Sequence, residues 1–185
     1  GSGGRISTCG QDPNGIYLDF RASVTGATPK ASSIGGGRRV TIAGSSFGAK
    51  VSGVQAFVGN AMCVPLTVKD TEIVCETTTN AAATGLALRV AVNGLEATCS
   101  GCTGFSFEES ITPTIGNVSP GGDAVAGAPL TITGTGFSTT AADNIVSVGP
   151  TNCAVTTATA TEIVCITPNN QPGTHTVNVR VVSKG

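Results

Sequence analysis

The sequence predicts an all-β protein made of two tandem sandwich domains, and three observations lead to that class. One stretch is written twice, ninety residues apart and without a gap. VTIAGSSFGA at 40–49 returns as LTITGTGFST at 130–139, and TEIVCET at 71–77 returns as TEIVCIT at 161–167. At the same offset Val58-Gly59 matches Val148-Gly149, Cys63 matches Cys153, and Cys75 matches Cys165. A shared offset sustained from Val40 to Thr77 means two copies of one structural unit. The composition is the second observation: Gly, Ala, Thr and Val dominate, aromatics are 4% and Trp is absent. Val and Thr favour strands, while Gly favours turns and bulges. The third is the apolar pattern, which alternates at period two and shows no helical period. The 185 residues then divide into units of roughly 90, the size of a small domain.

Taken in chain order, residues 1–20 read as a leader or as the tail strand of a preceding unit. Cys9-Gly10 is followed by Gly15 and the aromatic strand Ile16, Tyr17, Leu18, Asp19, Phe20, an echo of Cys102-Thr103-Gly104-Phe105-Ser106-Phe107. The first unit spans 21–110. In it Val40 and Ile42 alternate with polar neighbours as in a half-buried strand, Phe47 plugs one end of the core, and 54–58 run extended. Glu72 to Cys75 leads into a polar turn. Leu86, Leu88, Val90 and Val92 share one face of the next strand, which turns at Gly94 before a last strand through Phe105-Ser106-Phe107. The second unit spans 111–185. Residues 114–119 form an edge strand ended by the turn Pro120-Gly121-Gly122. Residues 130–133 alternate, Phe137 plugs, and 144–148, 153–156 and 162–166 are strands. A turn at 168–173 precedes a long final strand over 174–182, with Val177, Val179 and Val181 on one face. If Gly185 is aligned with Gly94, the second unit lacks its last strand within this chain. Short strands, regular turns and no helices give β-sandwiches of the immunoglobulin class, with Phe47 and Phe137 in place of the usual buried Trp.

Seven cysteines in such a chain point to an oxidising compartment, and the odd count leaves at least one thiol unpaired within the chain or paired outside it. Cys63 and Cys75 stand twelve residues apart, as do Cys153 and Cys165. Each pair flanks a turn, so adjacent strands bring the two within bonding distance. A loop of that size stabilises a domain by roughly 3 kcal/mol. The competing reading is four buried thiols in a cytosolic β protein. Charge excludes more than it assigns: the net charge is −1, with no run of Lys or Arg, so a nucleic-acid stripe is absent. No segment approaches the roughly 18 apolar residues of a membrane helix. No P-loop, zincin, EF-hand or nucleophile-elbow pattern occurs. His175 is the lone histidine, which makes no metal cluster. Sparse carboxylates argue against calcium, and one Tyr without Trp argues against a sugar platform. No cofactor is expected. Asn117-Val118-Ser119 is a glycosylation sequon whose use Pro120 lowers.

The second repeat resembles the IPT/TIG family of immunoglobulin-like domains. The resemblance is carried by the Pro120-Gly121-Gly122 turn, LTITGTGF, Val148-Gly149, Cys153, TEIVC ending at Cys165, Thr167-Pro168 and Gly173-Thr174-His175-Thr176-Val177. It extends over most of the first repeat. The paired cysteines are similar to those of extracellular members, and CSGCTGFSFEESITPTIGNVSP at 99–120 resembles the seam between tandem repeats in the fibrocystin-like group. That resemblance implies a bond between Cys99 and Cys102. The alternative, a redox CxxC, needs a helix N-terminus in an αβ setting to activate its thiol, and a β tail stands here instead. The first repeat departs from the family pattern at Ile34-Gly35-Gly36-Gly37-Arg38-Arg39, where two cations form either a solvated loop or a contact for an acidic partner.

The resemblance implies a non-enzymatic module of an extracellular or cell-surface protein, acting as a disulfide-clamped spacer and adhesion surface. Its partners are other proteins or adjacent repeats of the same protein. The alternative is a filament subunit, in which residues 16–20 of one molecule fill the second repeat of the next. Strand addition of this kind satisfies an exposed edge. A sugar-binding accessory domain is a third class, suggested by the wider family's use of the fold alone.

Overall fold

The computed structural model describes residues 20–122 and 124–185, and among these every regular element is a strand or a single 3-10 turn. The first repeat contributes β1 (Ser23–Thr28), β2 (Ala31–Ser33), β3 (Arg39–Ser45), β4 (Val54–Val58), β5 (Ala61–Lys69), β6 (Glu72–Thr77), β7 (Ala83–Leu86), β8 (Leu88–Val92), β9 (Leu95–Glu96), β10 (Thr98–Cys99) and β11 (Phe105–Glu108). The second contributes β12 (Thr114–Ser119), β13 (Pro129–Thr135), β14 (Asn144–Val148), β15 (Thr151–Ala158), β16 (Glu162–Ile166) and β17 (Val177–Val181).

The sequence repeat is also a repeat of register. In the first unit Val40 stands opposite Cys75 and Ile42 opposite Ile73. In the second, Leu130 stands opposite Cys165 and Ile132 opposite Ile163. The alternation seen in the sequence sends these side chains to one face, and all eight are buried, because successive strand residues point to opposite sides. Two hydrophobic cores result, one per repeat. β5 begins on β4 and continues on β6, with a bulge between Pro65 and Thr67. β15 does the same between β14 and β16, with its bulge between Val155 and Thr157. Such a bulge increases local twist and lets the strand pass from one partner to the other. The order β10-β1-β3-β6-β5-β4-β8-β9 faces a small sheet β2-β11-β7 in the first repeat, whereas the second has the single order β12-β13-β16-β15-β14-β17.

Phe47 and Phe137 are buried at the ends of their cores, as expected of the two plugs. Gly44 and Gly134 make room for them. A Cβ on either would collide with the phenyl ring and with the backbone oxygen of Ser23 or Thr114.

Three expectations differ from the structure. The strand read continuously through Leu86 and Leu88 breaks at Ala87, whose carbonyl accepts from Gly59 N at 2.8 Å, while Leu88 N donates to Cys102 O at 2.6 Å. β7 and β8 therefore belong to different sheets. The final strand is 177–181 rather than 174–182. Thr176 occupies the place of Ala87, accepting from Gly149 N at 2.8 Å. The residues before it have no strand to pair with among the described residues, whereas β7 pairs with β11. The β14–β17 register also sets Val177 where Leu88 stands, so Ser183, not Gly185, corresponds to Gly94.

Candidate functional site

Each repeat is pinned through its core. Cys63 on β5 is bonded to Cys75 on β6 with Cα atoms 5.3 Å apart, and Cys153 on β15 to Cys165 on β16 at 5.6 Å. All four side chains are buried. Cys99, ending β10, is bonded to Cys102. That bond ties off the loop that carries the chain from the large sheet to β11. No helix N-terminus adjoins either cysteine, so the setting that activates a redox thiol is missing here.

The two repeats meet along a glycine-rich loop. Ser33 N donates to Lys184 O at 2.8 Å, and Ser33 Oγ donates to Gly185 O at 2.9 Å. Ile34 N donates to Thr112 Oγ1 at 3.1 Å. Arg180, at the end of β17, reaches across to Glu76 Oε1 at 3.0 Å and Gly37 O at 3.3 Å. Arg180 and Glu76 are both partly exposed, which makes the ion pair worth little in stability. Three backbone carbonyls and a charged pair nonetheless give the joint direction.

The second repeat holds an open groove of about 820 Å³, lined by Ile115, Val118, Leu130, Val148, His175 and Val177 among others. The first repeat shows what fills the same place. There the equivalent side chains, Val24, Ala27, Val40, Val58, Leu86 and Leu88, share one core with Phe105 and Phe107 of β11. The exposure differs accordingly, 2% for Val24 against 38% for Ile115. Thr77 Oγ1 meets Ser32 Oγ of β2 at 3.0 Å. Its counterpart Thr167 Oγ1 is buried without a hydrogen-bond partner, as is Asn170 Oδ1, and both residues line the groove. Buried polar atoms left unpaired are uncommon in folded proteins.

The remaining candidates lie apart. Arg38 turns inward and donates from Nη1 to Ala31 O at 2.7 Å. Burial lowers its guanidinium below the ordinary arginine value, partly offset by Glu108. Arg39 opens β3 on the outer sheet face and is exposed. Asn117 is exposed on the edge strand β12, opposite Thr133. His175 meets Gln171 O at 2.7 Å. Among the described residues no cluster of His, Cys, Asp and Glu could hold a metal. Cys9, Ile16, Tyr17, Leu18 and Asp19 lie outside the described residues, while Phe20 is exposed. Sequence reasoning missed the joint residues Ser33, Glu76 and Arg180 and the orphaned Thr167. The one available signal was the mismatch between repeats, since Arg180 falls where the first repeat has Ala91.

The IPT/TIG domain family matches residues 22–107 and 113–185. Fibrocystin-L of Mus musculus is 30% identical over 92% of this chain, and fibrocystin-L of Homo sapiens is 34% identical over 85%. The chain spans only 4% of the length of each. Among solved structures, the extracellular region of plexin A4 superposes with a TM-score of 0.54 at 20% identity, covering 83% of this chain and 13% of that one. Duplicated register, paired core cysteines and family match agree, and the chain belongs to the IPT/TIG domain family as two tandem immunoglobulin-like β-sandwiches.

Proposed function

We propose that this chain is a non-enzymatic extracellular module that acts as a spacer and protein-interaction surface within a larger cell-surface protein. The observation that carries the reading is the joint. Two disulfide-clamped sandwiches are joined by Ser33–Lys184, Ser33–Gly185 and Arg180–Glu76, which lets the pair set distance and angle for whatever it presents. The fibrocystin-L and plexin likenesses support an extracellular setting. Thiol counting on the folded, natively expressed protein tests it. The repeat cysteines Cys63, Cys75, Cys153 and Cys165 are expected to be fully oxidised, and finding them reduced would remove the extracellular reading.

A second reading is favoured by the groove. An acceptor lined by apolar side chains and carrying two unpaired buried oxygens suits strand addition, in which a donor strand completes a sheet. In a filament, residues 16–20 of one copy would occupy the second repeat of the next. Sedimentation of the full chain across a concentration series tests this. Polymers that dissolve on Leu18→Asp support the filament, and a strictly monomeric chain rules it out.

A further inference from the structure

The duplication provides an internal control for the surface as well as the core. β4, β5 and β8 bury Val54, Ala56, Val58, Cys63, Leu88 and Val90, so the alternate residues of these strands form the outer face of the sheet. On that face Phe57 stands opposite Met62 and Arg89, with the Arg89 guanidinium 5.7 Å from the centre of the Phe57 ring. Met62, Val64 and Leu66 follow along β5, exposed to 40%, 42% and 41%. The second repeat has the same strands in the same register. There the corresponding residues are Ser147 for Phe57, Asn152 for Met62, Ala154 for Val64, Thr156 for Leu66 and Asn178 for Arg89. The fold therefore does not require an apolar outer face. One copy has it and the other, built on the same backbone, does not.

Charge points to the partner. The face and its rim hold three carboxylates: Glu72 pairs with Lys69 at 3.2 Å, Glu76 pairs with Arg180 at 3.0 Å, and Glu96 stands opposite Ala91 on the edge strand β9. No carboxylate among the described residues forms an ion pair with Arg39 or Arg89; Arg89 borders the apolar strip on β8, and Arg39 on β3 lies across β6 from it, opposite Glu76, which is engaged by Arg180. In the second repeat the places of Arg39 and Arg89 are taken by Pro129 and Asn178. At these positions the large apolar residues and the cations disappear together, while the same face of the second repeat carries Ile145 in place of Gln55 and the joint residue Arg180 in place of Ala91. Met, Phe and Arg are also the residue types enriched where proteins meet. A second copy of the same face would bring arginines toward arginines, so self-pairing is disfavoured.

We infer that the outer face of β4–β5–β8 in the first repeat is a docking surface for a protein segment carrying apolar side chains flanked by carboxylates. The inference rests on reading the chain as a protein-interaction module, and it names the repeat, the face and the chemistry of the partner. The strip buries the partner's apolar side chains, while Arg39 and Arg89 take its carboxylates and fix its register.

The test uses the full chain and a random peptide library displayed on phage. Binders are counter-selected on the variant Phe57→Ser, Met62→Asn, Val64→Ala, Leu66→Thr, whose new residues the second repeat already carries in the same fold. Enriched peptides are expected to alternate aromatic or aliphatic residues with Asp or Glu. Their affinity is expected to fall at least about tenfold on R39A/R89A and as salt rises. The single variant Leu66→Thr provides the comparison should the fourfold one fail to fold. Lack of enrichment, or enriched peptides without acidic residues, overturns the proposal. So does a dimer of the full chain that Leu66→Thr dissolves, which would give the face to a second copy. Binding that appears only when residues 1–19 are deleted would give the face to those residues, and overturns it equally.

Discussion

At the scale of single residues, Gly44 and Gly134 explain why both copies keep a small residue after the alternating strand. Neither is needed for backbone conformation. Each is needed because a phenyl ring, Phe47 or Phe137, lies where its Cβ would be, with a rigid backbone oxygen on the other side. Overpacking a core costs about 1–3 kcal/mol, so Gly44→Ala or Gly134→Ala is expected to destabilise by that amount in urea unfolding. Gly26→Ala serves as the control, since a Cβ there meets nothing within 4 Å, and it is expected to leave the midpoint unchanged. Arg38 and Arg39 make a second point at this scale. Adjacent in sequence and identical in charge, they differ in role because one side chain turns inward to the Ala31 carbonyl and the other starts a strand on the outer face.

Between elements, the cystines bond β5 to β6 and β15 to β16 just before the bulges that carry β5 and β15 from one partner strand to the next. The clamp and the bulge together hold the turn of the sheet. Replacing Cys153 and Cys165 by Ala is expected to lower the stability of the second repeat by roughly 3 kcal/mol, read as an earlier denaturant midpoint. The first repeat, with its own cystine, is expected to keep its transition. The shortened β17 belongs to this scale too. Thr174 and Thr176 are strand-favouring residues, yet with no partner like β11 among the described residues their backbone does not join a sheet. Filling the groove is expected to slow amide hydrogen exchange there.

For the whole molecule, the joint decides how the two sandwiches are oriented. Arg180→Ala is expected to change the unfolding free energy by less than about 1 kcal/mol, as for exposed ion pairs generally. It is also expected to broaden the distribution of inter-repeat angles seen by small-angle scattering or by paramagnetic alignment in solution. An unaltered scattering profile with full stability would show that Ser33 and Thr112 hold the joint without it. The groove and the apolar outer face lie on different repeats, so the variants that test one leave the other intact.

The fold class, the two units, the strand faces and the core cystines were legible in the sequence because they follow from local period and from a repeat whose offset pairs residues one to one. The Phe plugs were legible for the same reason. The break at Ala87, the end of β17 and the place of the β7–β11 pairing were not, because each depends on which strand lies alongside, and alternation alone does not name a partner. Nor were the joint residues, since Ser33 and Lys184 are joined only when the two sandwiches abut. The outer face shows the same division. The sequence alone determines that Phe57, Met62, Val64 and Leu66 have no large apolar counterparts in the second copy. Only the tertiary structure decides that they lie together beside Arg89, because the hydrogen-bonded register of β4, β5 and β8 sets which side chains become neighbours.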